Sequence, residues 1–167
     1  DKQVSYWKSK LEGYETLHLS TDYTRPVEMD YEGRNIPFEL EKELSLRLRE
    51  TAKSLGVSLY SLMLSCYYLM LRVYTGQDDI VIGSPVANRH YSQIEHLIGF
   101  FVNTLVIRSS IEANITFKEF LQKAKQTILS AYEHQDIPFE QLVESLNVDR
   151  DLGKHSLFQI FFHSFLP

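Results

Sequence analysis

Cysteine occurs once in this chain of 167 residues, which excludes an internal disulfide. Cys66 sits inside an apolar stretch with helical spacing, so a buried, inert thiol is expected rather than a nucleophile. A chain without disulfides leans towards the cytoplasm. Long hydrophobic runs are missing too. The longest, residues 62–71, is too short to span a bilayer and carries Ser65, so no membrane partner is expected. The residues after Asp1 do not read as a signal peptide. Positive charge is scarce: the net charge is −5 and no run of Lys or Arg occurs. That argues against nucleic acid, which needs a basic face to release counterions. No glycine-rich phosphate loop is present, since Gly83 and Gly99 stand alone. The six histidines are scattered, and His90 and His96 lack the spacing and carboxylate company of a helical zinc site. No metal site is expected. Internal repeats and low-complexity linkers are absent as well.

What is abundant is apolar and aromatic. Hydrophobic residues make up 44% of the chain, with ten Tyr and ten Phe, enough for one globular domain with a real core. Residues 4–12 read as the last turns of a helix, with Trp7 and Leu11 on one face and Gly13 as the stop. A chain that opens in mid-helix suggests further residues upstream. Residues 17–27 read as an extended connection, and residues 29–40 as a strand or hairpin turning at 32–35. Pro37 confines the second half of that stretch to a sheet edge, because it cannot donate to a ladder.

Leu44, Leu48, Ala52 and Leu55 make residues 41–55 an amphipathic helix ended by Gly56. Ser58 caps the next helix, 59–75, which is apolar nearly all round, should be buried on several sides, and closes at Gly76. Residues 80–83 form a short apolar strand. The loop 84–97, with Pro85, Asn88, Arg89, His90 and His96, is too long and polar for a mere connector. Thr116 and Glu119 form a capping box opening a helix to about His134. Pro138 fits the first position of a shorter helix, 139–146. Residues 147–156 are a charged loop, and 157–166 read as a final apolar strand. The fold class is therefore mixed α/β, with at least four strands, four substantial helices, and helices flanking a mixed sheet.

The organising stretch is Ile98-Gly99-Phe100-Phe101-Val102-Asn103-Thr104-Leu105-Val106-Ile107-Arg108. Residues 102–107 read as a strand of β-branched and apolar residues. Gly99 permits a turn or close approach, and Arg108 ends the strand with a permanent charge. Asn103 and Thr104 point polar side chains to opposite faces. Left unpaired when buried, each would cost about 1–3 kcal/mol, so the plain reading is that they satisfy neighbouring loop backbone.

This stretch resembles the Ile-Gly-x-Phe-Val-Asn-Thr-Leu-x-x-Arg motif of nonribosomal peptide synthetase condensation domains. His134-Gln135-Asp136-Ile137-Pro138-Phe139-Glu140 is similar to that family's His-Gln-Asp-aromatic-Pro-Phe-Glu motif, with Ile137 as the departure. Arg150-Asp151-Leu152-Gly153-Lys154-His155-Ser156-Leu157 keeps the Arg-Asp opening and final Leu of a third. The resemblance implies one lobe of the two-lobed chloramphenicol-acetyltransferase-like acyltransferase fold. Residues 1–167 would be a C-terminal lobe, truncated at both ends, that helps join an upstream acyl or peptidyl thioester to the amine of a downstream aminoacyl thioester. The implied partners are the N-terminal lobe, the upstream and downstream peptidyl carrier domains, and an adjacent adenylation domain. The carriers would present phosphopantetheine.

The family's acid–base motif, His-His-x-x-x-Asp-Gly, does not occur here, so no catalytic residue is assigned to this chain and the isolated stretch should be inactive. The resemblance makes the loop carrying Ser84, Pro85, Asn88 and Arg89 a channel floor, and brings Asn103 and Thr104 to the reacting centre. For Pro85, Asn88 and Arg89 the plain alternative is loop geometry with a solvated charge. Gly99, Phe101, Arg108, His134, Gln135, Asp136, Pro138, Phe139, Arg150 and Asp151 are motif residues with structural roles. His134 and Asp136 suggest acid–base chemistry, but a His facing the negative end of a helix is the plainer reading. An epimerisation or cyclisation relative, or a carrier-docking scaffold, is the alternative function. Leu152-Gly153-Lys154-His155-Ser156-Leu157 also resembles a carrier domain's Leu-Gly-Gly-His-Ser-Leu attachment motif. The aromatic run after Ser156 does not suit a carrier helix, so Ser156 should stay unmodified.

Overall fold

The structure is a computed structural model, described here for residues 2–24, 26–27, 32–89, 93, 95–148 and 155–164. Its elements are α1 (Lys2–Leu11), α2 (Lys42–Ser54), α3 (Leu59–Thr75), β1 (Asp79–Val86), β2 (Asn103–Ser110), α4 (Phe117–Glu133) and α5 (Phe139–Leu146). Strands β1 and β2 pair antiparallel, from Asp79 opposite Ser110 to Val86 opposite Asn103. Local chemistry sets most helix ends. The Ser58 side chain accepts from the Ser61 N–H, and Gly76 takes the left-handed cap at φ 72° that a side chain would resist. Thr116 and Glu119 close the capping box reciprocally. One large core joins Trp7 and Leu11 of α1, Leu64, Tyr68 and Leu71 of α3, both strands, and Phe120 and Ile128 of α4.

Several expectations are corrected. Strand β1 continues through Ser84 and Pro85, placed in a loop from sequence, because β2 offers partners as far as Asn103. Strand β2 likewise runs past Arg108 to Ser110. Pro85 is tolerated because the N–H it lacks would point away from β2, as the Gly83 N–H does when it bonds the Ile160 carbonyl. The next carbonyl along that edge, Phe162 O, instead accepts from the Ser84 hydroxyl at 2.9 Å.

The predicted last strand contributes, among its described residues, a parallel bridge from Phe161 to Gly83. Residues 32–40 form no strand and are exposed throughout. Helix α3 is not buried on several sides: Met70 is half exposed, Val73 and Tyr74 more so, and Cys66 is exposed. Burial of part of its surroundings still pushes the Cys66 thiol pKa up. In α2, Ala52 alone is buried and Leu44 is 44% exposed. Among the described residues, no single helix is long and apolar enough to cross a membrane.

Candidate functional site

Asn103 opens β2 and faces the turn between α4 and α5. Its Nδ2 donates to the carbonyls of Gln135 and Ile137, both at 2.8 Å, and its Oδ1 accepts from the Phe139 N–H at 3.1 Å. Phe139 begins α5, whose cap residue, Pro138, provides no side-chain cap. The Asn103 amide therefore satisfies an N–H that the helix leaves unpaired. Three bonds fix the start of one helix and the end of another against the strand.

The His134–Phe139 motif supplies the rest of that joint. His134 caps α4 and its Nδ1 donates to the Ser130 carbonyl at 2.8 Å. Its ring stacks on Tyr6 at 3.7 Å, while its carbonyl accepts from Trp7 Nε1 at 2.8 Å. Gln135 Nε2 donates to the Tyr132 carbonyl, and Asp136 Oδ2 accepts from Gln3 Nε2. His134 and Asp136 thus dock α1 onto the α4–α5 turn.

At the far end of β2, Arg108 uses all five of its N–H donors. Nε and Nη2 hold the two Asp79 oxygens at 2.8 Å, and the remaining donors reach the carbonyls of Lys10, Glu12 and Gly13. Those carbonyls close the C-terminal end of α1, where a cation is favoured. A fork of this geometry suits a carboxylate and converging carbonyls as a lysine would not.

A cleft of about 310 Å³ opens beside Asn103. Of the predicted residues it brings together Asn103, Thr104 and Asn88, with Phe101, Asp136, Pro138 and Phe139 of the motifs. Ser84, Pro85 and Arg89 do not line it. Ser84 is buried in β1, bonded to Tyr60 Oη at 2.7 Å and to the Phe162 carbonyl. Burial pushes the Tyr60 phenol pKa up to about 12, opposed by its bond to Ser84. Arg89 ties down the loop ahead of β2: its guanidinium donates to the carbonyls of Glu95, Leu97 and Gly99 and covers the Phe101 ring at 4.2 Å. A Cβ at Gly99 would crowd Phe101 at 3.0 Å, so the glycine permits that close approach.

Asn88 takes the left-handed backbone at φ 51°, and its Oδ1 is buried with no hydrogen-bond partner among the described residues. Phe100, Val102 and Glu140 also line the cleft and were not singled out from sequence. The signal was present, since all three lie within the quoted motifs. Arg150 and Asp151 lie outside the described residues. Ser156 is followed by the segment that runs beside Gly83, not by a helix. Among the described residues, no group of three His, Cys, Asp or Glu could hold a metal ion.

Residues 1–165 match the family described as the condensation domain. The chain is 44% identical over 162 residues to surfactin synthase subunit 1 of Bacillus subtilis (strain 168), covering 96% of itself and 4% of that protein. It is 43% identical over 163 residues to gramicidin S synthase 2 of Brevibacillus brevis, covering 97% of itself and 4% of that protein. The chain thus spans a small fraction of these relatives. Among solved structures, a four-domain nonribosomal peptide synthetase bound to AMP and glycine superposes at a TM-score of 0.95, with 30% identity over 98% of this chain and 12% of the other. The X-domain from teicoplanin biosynthesis gives 0.90, with 25% identity over 96% of this chain and 36% of the other. Motifs, fold and relatives agree, and the chain belongs to the condensation-domain family.

Proposed function

We propose that residues 1–167 are the C-terminal lobe of a condensation domain in a nonribosomal peptide synthetase, and that the cleft beside Asn103 is this lobe's wall of the channel where an amide forms. In that reaction the amine of a downstream aminoacyl thioester attacks an upstream acyl or peptidyl thioester. A C–N bond forms, the C–S bond breaks, and the amine proton is removed as the thiol leaves. Both substrates arrive on phosphopantetheine arms of carrier domains, so that group belongs to the partners. The N-terminal lobe, both peptidyl carrier domains and an adjacent adenylation domain complete the set.

The observation that carries this reading is the division of hydrogen bonding at the cleft. Asn103 is committed to the α4–α5 turn, whereas the Asn88 Oδ1 is a buried acceptor with no partner among the described residues. Asn103 is then a positioning residue, and Thr104 and Asn88 are polar residues of the wall that substrate passes. Holding two thioesters in register is the contribution proximity catalysis requires. The proton-accepting histidine comes from outside residues 1–167, because His-His-x-x-x-Asp-Gly is not among them.

A second reading, a lobe that docks another protein, is favoured by one comparison. The teicoplanin X-domain in complex with OxyB superposes at a TM-score of 0.89 with 26% identity. One experiment separates the two. Residues 1–167 alone, given two loaded carrier domains, should make no amide above background. The same residues within the complete domain should turn over. Condensation by the isolated stretch would contradict the assignment of roles, and an inactive complete domain that still binds carriers would favour docking.

A further inference from the structure

Phe100 lines the cleft beside Asn103, yet its ring is 92% exposed. A large apolar side chain facing water beside a cleft marks a surface that a ligand can cover. That exposure is not slack in the loop. Arg89 donates to the carbonyls of Leu97 and Gly99, and its guanidinium lies over the neighbouring Phe101 ring. The backbone on both sides of Phe100 is held, so the ring is presented rather than packed.

The lining selects what covers it. Asp136 and Glu140 line the same cleft, and none of its described lining residues is Lys, Arg or His. Both carboxylates stand near the start of α5, whose positive end amounts to only about half an elementary charge, so the cleft stays negative. Of the two partners in the proposed reaction, the downstream aminoacyl group carries an amine that is largely protonated in neutral water. The upstream group reacts through an uncharged carbonyl. At about 310 Å³ the cleft lies near the small end of ligand sites, with room for one aminoacyl group and not for a peptidyl chain.

We infer that Phe100 is a specificity-determining residue, whose ring covers the side chain of the downstream aminoacyl group and selects large apolar side chains over small or acidic ones. This rests on the reading of the cleft as a wall of the amide-forming channel. An apolar side chain against the ring takes both surfaces out of water. An acidic one would meet like charge at Asp136 and Glu140.

The test is turnover of the complete domain with the upstream carrier loaded and the downstream carrier bearing leucine, alanine or aspartate. The unaltered domain should favour leucine over alanine in kcat/KM by at least about tenfold, and use aspartate least. Phe100→Ala should remove most of the leucine preference and Phe100→Leu should keep part of it. Neither should change the KM for the upstream carrier. A merely structural role would slow all three aminoacyl groups by one factor. That equal loss, a leucine preference that is absent or survives Phe100→Ala, or aspartate used as well as leucine would overturn the inference and leave the channel reading standing. A complete domain that makes no amide from any aminoacyl carrier would overturn the channel reading, and the inference with it.

Discussion

Two hollows flank β2, one at each end, and the larger is the poorer candidate for a site. The depression beside Arg108, lined also by Lys10 and Asp79, has about 700 Å³ against about 310 Å³ for the cleft beside Asn103. At the larger one, every Arg108 donor already has an acceptor within the protein. At the smaller one, Asn88 buries an oxygen that has no hydrogen-bond partner among the described residues. Buried polar groups are nearly always paired, so this oxygen, rather than volume, is what supports placing the proposed working end beside Asn103. Arg108 and Asn103 both hold helix ends to the same strand, yet only Asn103 does so at the cleft.

The largest effect should come from breaking the Arg108 end. Arg108→Ala removes five hydrogen bonds and leaves Asp79, about one-fifth exposed, without its counter-ion. We expect a loss of about 3 kcal/mol in chemical denaturation, and little recovery in Arg108→Lys, which lacks the fork. Turnover per folded molecule in the complete domain should be unchanged. A loss below about 1 kcal/mol would mean that the pair is merely a surface contact.

The next effect tests the frame both hollows share. A Cβ on Gly83 would overlap three atoms of the Phe158 ring. Gly83→Ala should cost about 1–3 kcal/mol and raise the exchange rate of the Phe162 amide, which bonds the Gly83 carbonyl. Unchanged exchange at Phe162 would show that the ring simply moves aside.

The smallest concerns pH. Burial raises the Tyr60 pKa from 10.0 to about 12, so folding favours the neutral phenol. Its contribution is complete below pH 10 and is lost as pH rises towards 12. Tyr60→Phe should make the alkaline fall in stability shallower over that window. It should not abolish the fall, because Tyr68, wholly buried and donating to the Ile107 carbonyl, is shifted the same way. Identical slopes in the two proteins would remove Tyr60 from the explanation.

Whatever was written in adjacent residues was legible in the sequence. Ser58, Gly76 and the Thr116–Glu119 box are short-range devices, and each acts where the spacing put it. Trp7 and Leu11 share a buried face because a four-residue step is geometry alone. What depended on distant partners was not legible. Ser84 and Pro85 are poor strand formers, and pairing with Leu105 and Thr104 drew them into β1. Asn103 reaches carbonyls and an N–H more than thirty residues away. The motif stretch marked the residue without naming its partners. Cys66 was misplaced because apolar composition around a helix does not say which side meets a neighbour. Helix α3 leaves the Cys66, Met70 and Val73 side uncovered among the described residues.

The most direct test of the difference between the two ends of β2 is turnover per folded molecule, measured in the complete domain with both carriers loaded. It compares Asn103→Ala with Arg108→Ala at a temperature where each remains folded. Asn103→Ala frees two carbonyls and the first N–H of α5, so it too should lose stability, by about 2 kcal/mol. If the Asn103 end positions substrate, its variant should turn over at least about tenfold more slowly, equivalent to about 1.4 kcal/mol in the barrier, while Arg108→Ala matches the unaltered domain. Equal turnover in the two variants, once both are corrected for folded fraction, would contradict that division of labour and leave Asn103 a purely structural residue.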